Sequence, residues 1–184
     1  GCWRYPHLVD FCYLVNPYFP PRQMIDEIKA SFENLMRECP SGMKVNSLLA
    51  AKNFSIRQEY IAVGNGAAEL IKEFVERYSH SIGVVYPTFE EYPNRAVEGN
   101  VVSYIPDNKD LRYDADDVMD YFEDKDIDTL LVINPDNPSG NYIPYQDLIR
   151  LIEWTKEKSV RLLVDESFVD FVDAEGEVTL LKNE

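Results

Sequence analysis

The chain has 184 residues, 45% hydrophobic and 28% charged, which is enough for one domain with a substantial core and ordinary for a globular protein. Its formal net charge of −15, from 33 acidic against 18 basic side chains, argues against nucleic acid and anionic membranes as partners, because both reward Lys and Arg. The three cysteines, Cys2, Cys12 and Cys39, have no regular spacing. They argue against a disulfide framework and point to a cytoplasmic setting, and no apolar run is long enough to span a bilayer.

Residues 1–21 are rich in proline and aromatic residues, as in Tyr5-Pro6, Asn16-Pro17 and Phe19-Pro20-Pro21, and read as an extended arm. Helical spacing follows at Ile25, Ile28, Phe32, Leu35 and Met36 until Pro40 and Gly42 break it, and a short helix is expected over 45–53. From residue 60 the pattern alternates. A strand over 60–63 leads through Gly64, Asn65 and Gly66 into a helix with Leu70, Ile71, Phe74, Val75 and Tyr78 on one face. A strand over 82–86, a short helix over 88–97 and a strand over 101–105 come next. Ala115, Val118, Met119 and Phe122 then mark the inner face of a helix, followed by a strand over 129–134, a helix over 144–158 and a strand over 161–165. The strands are continuously apolar rather than alternating, which argues for a parallel sheet covered on both faces. The expected class is α/β, a three-layer α/β/α sandwich with five strands. Acidic residues 114–128 could be read as a cation site, but the apolar residues among them keep helical spacing, so a solvated helix face is the better reading.

Several motifs bear on chemistry. Gly64, Asn65, Gly66, Ala67 and Ala68 stand between a strand and a helix, where small residues let a phosphate approach the first N–H groups; a tight turn with no ligand fits equally well. A dinucleotide fingerprint would need a small residue at Glu69. Leu162-Leu163-Val164-Asp165-Glu166 looks like a Walker B strand, but no phosphate-loop sequence accompanies it. His7 and His80, the only histidines, lack metal-ligand spacing, and no serine-hydrolase elbow is present, so no metal is expected. Phe89 follows a strand and could stack on a planar ligand or pack in the core. Asn137-Pro138-Ser139-Gly140 follows one apolar strand and Asp165 ends another, which places an amide and a carboxylate at the carboxyl edge of the sheet, where open α/β folds bind ligands.

In order along the chain, Gly66-Ala67-Ala68-Glu69, Pro87-Thr88-Phe89, Asn137-Pro138-Ser139-Gly140 and Asp165-Glu166-Ser167-Phe168 resemble class I and II, fold-type I, pyridoxal-phosphate aminotransferases, above all the histidinol-phosphate aminotransferase and threonine-phosphate decarboxylase types. The segment from Asp10 and Phe11 to Pro21 looks like their N-terminal arm. The resemblance implies an arm over 1–21 and a partial cofactor-binding large domain over 22–184 that lacks the last strands and the small domain. It implies an aminotransferase acting on an amino acid or amino-acid phosphate, working as a homodimer in the full-length protein; a decarboxylase of the same fold and a non-catalytic α/β binding module are the alternatives. By the same resemblance, Ala67 and Ala68 hold the phosphate of pyridoxal 5′-phosphate and Phe89 stacks on its ring. Asn137 donates to the phenolic oxygen, Asp165 pairs with the ring nitrogen, and Asn16 borders the substrate. The chain departs from relatives at Phe168, where many carry Tyr, and at Cys39, where Tyr is common. Only Lys182 follows Asp165, too soon and in the wrong context for the Schiff-base lysine, so no catalytic residue is expected within these 184 residues.

Overall fold

The computed structural model describes residues 7, 16, 18–97, 99–173 and 179–182. Most of the expected arm, including Asp10, Phe11, Cys12 and Pro17, lies outside the described residues, as does Cys2. The chain divides into two units, Gly1–Gly42 and Met43–Glu184.

The first unit carries helix α1, Arg22–Arg37. Pro21 stands at its N-cap position, and the cap carbonyl accepts from Ile25 N–H at 3.2 Å. Arg22 and Asp26, one turn apart, pair at 2.9 Å on its surface.

The second unit opens with α2, Met43–Phe54. It continues through α3, Ala67–Tyr78; β1, Ile82–Val85; α4, Glu91–Arg95; and β2, Val101–Tyr104. It ends with α5, Ala115–Phe122; β3, Thr129–Ile133; α6, Tyr145–Lys158; and β4, Arg161–Asp165. The sheet has the order β2-β1-β3-β4, and every pairing is parallel. β1 and β3 are buried at every residue, which accounts for their unbroken apolar runs.

The side chains divide between two faces with the period of a strand. Leu130 and Val132 of β3 and Val85 of β1 pack with Val118 and Phe122 of α5 and Leu148 and Leu151 of α6. Leu131, Ile133, Ile82 and Val84 pack on the other face, with Ile71 and Val75 of α3 and Tyr92 of α4. The three layers are therefore α5 and α6, the sheet, and α3 with α4.

The expected strand over 60–63 does not form. Gln58–Tyr60 makes a single 3-10 turn, and residues 61–64 run on without a ladder. A strand is defined by its partner, and the four strands pair among themselves without offering this segment one. Among the described residues the sheet accordingly has four strands rather than five. The short helix expected over 88–97 is confined to Glu91–Arg95.

The acidic stretch serves the fold. Asp114 and Asp117 form a reciprocal capping box at the start of α5. Asp116 pairs with Arg150, and Glu123 pairs with Lys158 while accepting from Trp154 Nε1 at 3.0 Å, which ties α5 to α6. Asp128 accepts from His80 N–H at 2.9 Å and from Thr129 Oγ1 at 2.9 Å. Among the described residues no helix is long and apolar enough to cross a membrane.

Gly83 in β1 marks the tightest packing between the sheet and α5. A Cβ there would meet Phe122 Cε1 at 2.6 Å and Ile127 Cδ1 at 2.9 Å, and both side chains are themselves buried. Gly83→Ala should lower unfolding free energy by about 1–3 kcal/mol, the usual cost of overpacking a close-packed core. Chemical denaturation of the two proteins side by side checks this.

Candidate functional site

Phe89, Asn137 and Asp165 lie at or just beyond the carboxyl ends of β1, β3 and β4, where the chain leaves the ladder and its side chains can converge. Asp165 is the last residue of β4, paired in register with Ile133 of β3. Leu163, two residues earlier, packs on the α3 face, so the strand period brings the Asp165 side chain to that same face.

There the carboxylate is gripped from two directions. Tyr92 Oη donates to Asp165 Oδ2 at 2.7 Å, while Ser167 N–H donates to Oδ1 at 2.9 Å and the Ser167 hydroxyl donates to the same oxygen. Tyr92 is only 4% exposed. Burial, followed by the charge and hydrogen bond of Asp165, pushes its phenol well above the usual tyrosine range, so it stays a proton donor. Tyr92 also meets Phe89 edge-on, with ring centroids 6.4 Å apart at 77°.

A cleft of about 500 Å³ runs along α3, from Ala67 at its start to Tyr78 at its end, beside the end of β4, with Glu73 and Arg77 also on its wall. Ala67, Leu70 and Phe74 line one side, and Leu163, Asp165 and Ser167 the other. Ala67 and Ala68 begin α3 and are exposed. Gly66 enters the helix at φ +83°, a conformation that disfavours any residue with a Cβ, and the Glu69 carboxylate of the first turn reaches back to accept from Asn65 N–H. The cleft thus joins a helix N-terminus, with its partial positive charge, to a fixed carboxylate across an apolar floor.

The loop after β3 is built around its own polar side chains. Buried Asn134 holds Ile143 by both backbone groups: its Nδ2 donates to Ile143 O at 2.9 Å, and its Oδ1 accepts from Ile143 N–H at 2.8 Å. Asn134 N–H donates to Asp165 O at 2.8 Å, which locks the loop's first residue to the end of β4. Asp136 accepts from the Ser139 hydroxyl and from Ser139 N–H at 3.3 Å, and Asn141 Nδ2 donates to Tyr113 O at 2.8 Å. Burial and then the Asp136 charge raise the Tyr113 phenol as well. Asn137 is half-buried in this loop, and no hydrogen bond engages its side chain among the described residues.

The structure thus brings Ala67 and Asp165 into one cleft, with Ala68 next along α3 and Phe89 against Tyr92, the residue that holds Asp165. Asn137 lies on the neighbouring loop. Asn16 belongs to the first unit, where its Oδ1 accepts from Tyr18 N–H at 2.9 Å. The Phe168 ring packs against Phe171, with centroids 6.2 Å apart. Two residues escaped the sequence reading. Tyr92 stands three residues after Phe89, so one helical turn would have paired them, but nothing in the sequence marks its hydroxyl as Asp165's partner. Asp136 directly precedes the Asn137-Pro138-Ser139-Gly140 motif, and nothing in the sequence marks it as the residue that organises that turn.

Residues 21–183 match the family model for aminotransferase class I and II. The chain is 34% identical over 174 residues to the CMP-5′-(3-aminopropyl)phosphonate synthase of Streptomyces rubellomurinus, covering 95% of this chain and 27% of that protein. It is 28% identical over 185 residues to the L-serine phosphate decarboxylase of Sulfurospirillum multivorans, covering 95% of this chain and 46% of that protein. A solved decarboxylase structure from Sulfurospirillum multivorans superposes with a TM-score of 0.81 at 27% identity, over 97% of this chain and 48% of that one. The chain therefore spans between about a quarter and a half of the length of these relatives.

Burial holds the Asp136 carboxyl above its usual range, against opposing hydrogen bonds from Ser139 and from Asn137 N–H. The unfolded chain releases that proton first as pH rises. The stability contributed by neutral Asp136 is complete below the ordinary carboxylate range and is lost as pH climbs through the raised value. The unfolding free energy of wild type minus that of Asp136→Asn should therefore fall as pH rises through this window; denaturant titrations at stepped pH read it directly.

Proposed function

Because this chain belongs to the class I and II aminotransferase family, whose members use pyridoxal phosphate, we propose that its cleft is the cofactor site of a pyridoxal-phosphate enzyme acting on an amino acid or amino-acid phosphate. One observation carries the reading: a carboxylate fixed at the end of β4 shares a cleft with the start of α3. The donor set suits the group. An anionic phosphate is favoured at a helix N-terminus, and a cationic ring nitrogen is favoured by a carboxylate.

On this reading the backbone N–H groups of Ala67 and Ala68 hold the phosphate. Phe89 stacks on the ring, Asn137 donates to the phenolic oxygen, and Asp165 keeps the ring nitrogen protonated. Asn16 borders the substrate. When bound, the cofactor supplies a cationic ring that withdraws electrons from the substrate. Leu70, Phe74 and Leu163 give the cleft an apolar floor beside Asp165. Phe168 has no hydroxyl and makes no polar contribution.

Amino transfer is the first reading. Decarboxylation of an amino-acid phosphate is the second, supported by the TM-score of 0.81 to a decarboxylase at 27% identity. The arm, the partial large domain over 22–184, the homodimer and the cytoplasmic setting belong to the same proposal. Purifying the complete protein with pyridoxal phosphate and offering amino-acid phosphates distinguishes the readings. Amino transfer to an oxo acid supports the first, carbon dioxide release without transfer supports the second, and neither would leave a non-catalytic module.

Two outcomes follow. In the complete protein, Asp165→Ala should lower turnover by on the order of 100-fold, as loss of a preorganised charge partner does, whereas Phe168→Tyr should change it by less than about fivefold. Steady-state kinetics on both variants tests that ranking. The 184-residue chain by itself should show no transaminase activity, since only Lys182 follows Asp165. Borohydride treatment with pyridoxal phosphate should fix the cofactor to no single lysine, as peptide mapping would reveal.

A further inference from the structure

Tyr92 takes no part in the roles just proposed, yet it touches two residues that do. Its hydroxyl donates to Asp165 Oδ2 at 2.7 Å, and its ring edge meets Phe89 at 6.4 Å and 77°. The short turn between the two aromatics is closed by Tyr92 N–H donating to Phe89 O at 3.3 Å. A side chain that is 4% exposed and packed against Ile71, Val75 and Leu131 has little freedom to move, so both contacts are set by the core.

An ionised carboxylate offers about four acceptor sites, two on each oxygen. Ser167 supplies two donors to Asp165 Oδ1, its N–H and its hydroxyl. Tyr92 supplies one to Oδ2, the only donor that oxygen receives among the described residues. The remaining site is therefore on Oδ2, beside the phenol. With donors on both oxygens the carboxylate plane cannot rotate freely, so the direction of that last site is fixed before any ligand arrives.

We propose that Tyr92 is the positioning residue of this site: its phenol holds Asp165 so that the free acceptor site of Oδ2 receives a cationic ring nitrogen, and its ring edge sets the stacking wall of Phe89. The inference rests on the pyridoxal-phosphate reading and assigns one buried side chain to two of its contacts. Tyr92 does not touch the cofactor's reacting atoms; it acts through Asp165 and Phe89.

The test uses the complete protein and two ligands, pyridoxal phosphate and its deaza analogue, in which the ring nitrogen is replaced by CH. Wild type should bind the pyridine form more tightly. Tyr92→Phe keeps the ring and loses the hydroxyl, so it should weaken pyridoxal phosphate about tenfold, the scale of one charge-assisted hydrogen bond, and leave the analogue within about twofold. Tyr92→Leu also loses the ring edge and should weaken both ligands. A Tyr92→Phe protein that keeps the full wild-type preference overturns the positioning role while the cofactor reading stands. A wild type that binds the two ligands equally overturns the cofactor reading itself. A measurement without cofactor guards against a misfolded variant: NMR of tyrosines labelled at Cζ should show Tyr92 still protonated where exposed tyrosines have titrated, and Asp165→Asn should bring its titration down toward theirs. Because burial raises the phenol by itself, an Asp165→Asn protein in which Tyr92 titrates as it does in wild type would overturn the link to Asp165.

Discussion

The rung that joins Ile133 of β3 to Asp165 of β4 constrains everything at the carboxyl edge. In a strand, a shift of one residue turns every side chain to the opposite face. If β4 slipped by one position, Leu163 would leave the α3 layer and the Asp165 carboxylate would point toward α5 and α6, away from Tyr92. Asn134 N–H donating to Asp165 O at 2.8 Å closes this last rung. The bulk of the core therefore serves a precise local end, because the packing of Leu131, Ile133 and Leu163 against α3 selects the register that presents the carboxylate.

Around that point the molecule uses polar side chains to replace water. Asn134 satisfies both backbone groups of Ile143, and Asp136 organises the turn through Ser139. Buried polar groups are costly unless paired, so such a loop is held in one arrangement rather than several. Among the described residues no hydrogen bond engages the Asn137 side chain in this loop. Tyr92 holds the Asp165 carboxylate with its buried hydroxyl. A site made ready in this way need not reorganise its dipoles when charge arrives.

The overall charge of −15 and the proposed anionic cofactor are compatible for a local reason. Several acidic side chains are committed to the cap of α5, to Arg150 and Lys158 of α6, and to the backbone at the amino end of β1 through Asp128, while Glu69 in the first turn of α3 accepts from Asn65 N–H. At the start of α3 the attraction comes from backbone N–H groups, which no count of ionisable residues records. The relatives with which this chain aligns extend well beyond it in length.

The amino-acid sequence determined the α/β class, the parallel strands and the position of Asp165 at a strand end, because those follow from periodicity and from where apolar runs stop. It also carried the ordered motifs that mark the family. It could not decide the strand over 60–63, because a strand exists only if another segment pairs with it, and pairing is a property of the whole sheet. It could not decide the role of Tyr92 either. Tyr92 falls within the short helix expected over 88–97, but the partner of its hydroxyl lies 73 residues away along the chain and becomes a neighbour only when β3 is laid between β1 and β4. Hydrogen bonds between distant residues depend on register and layer packing, which only the assembled tertiary structure sets.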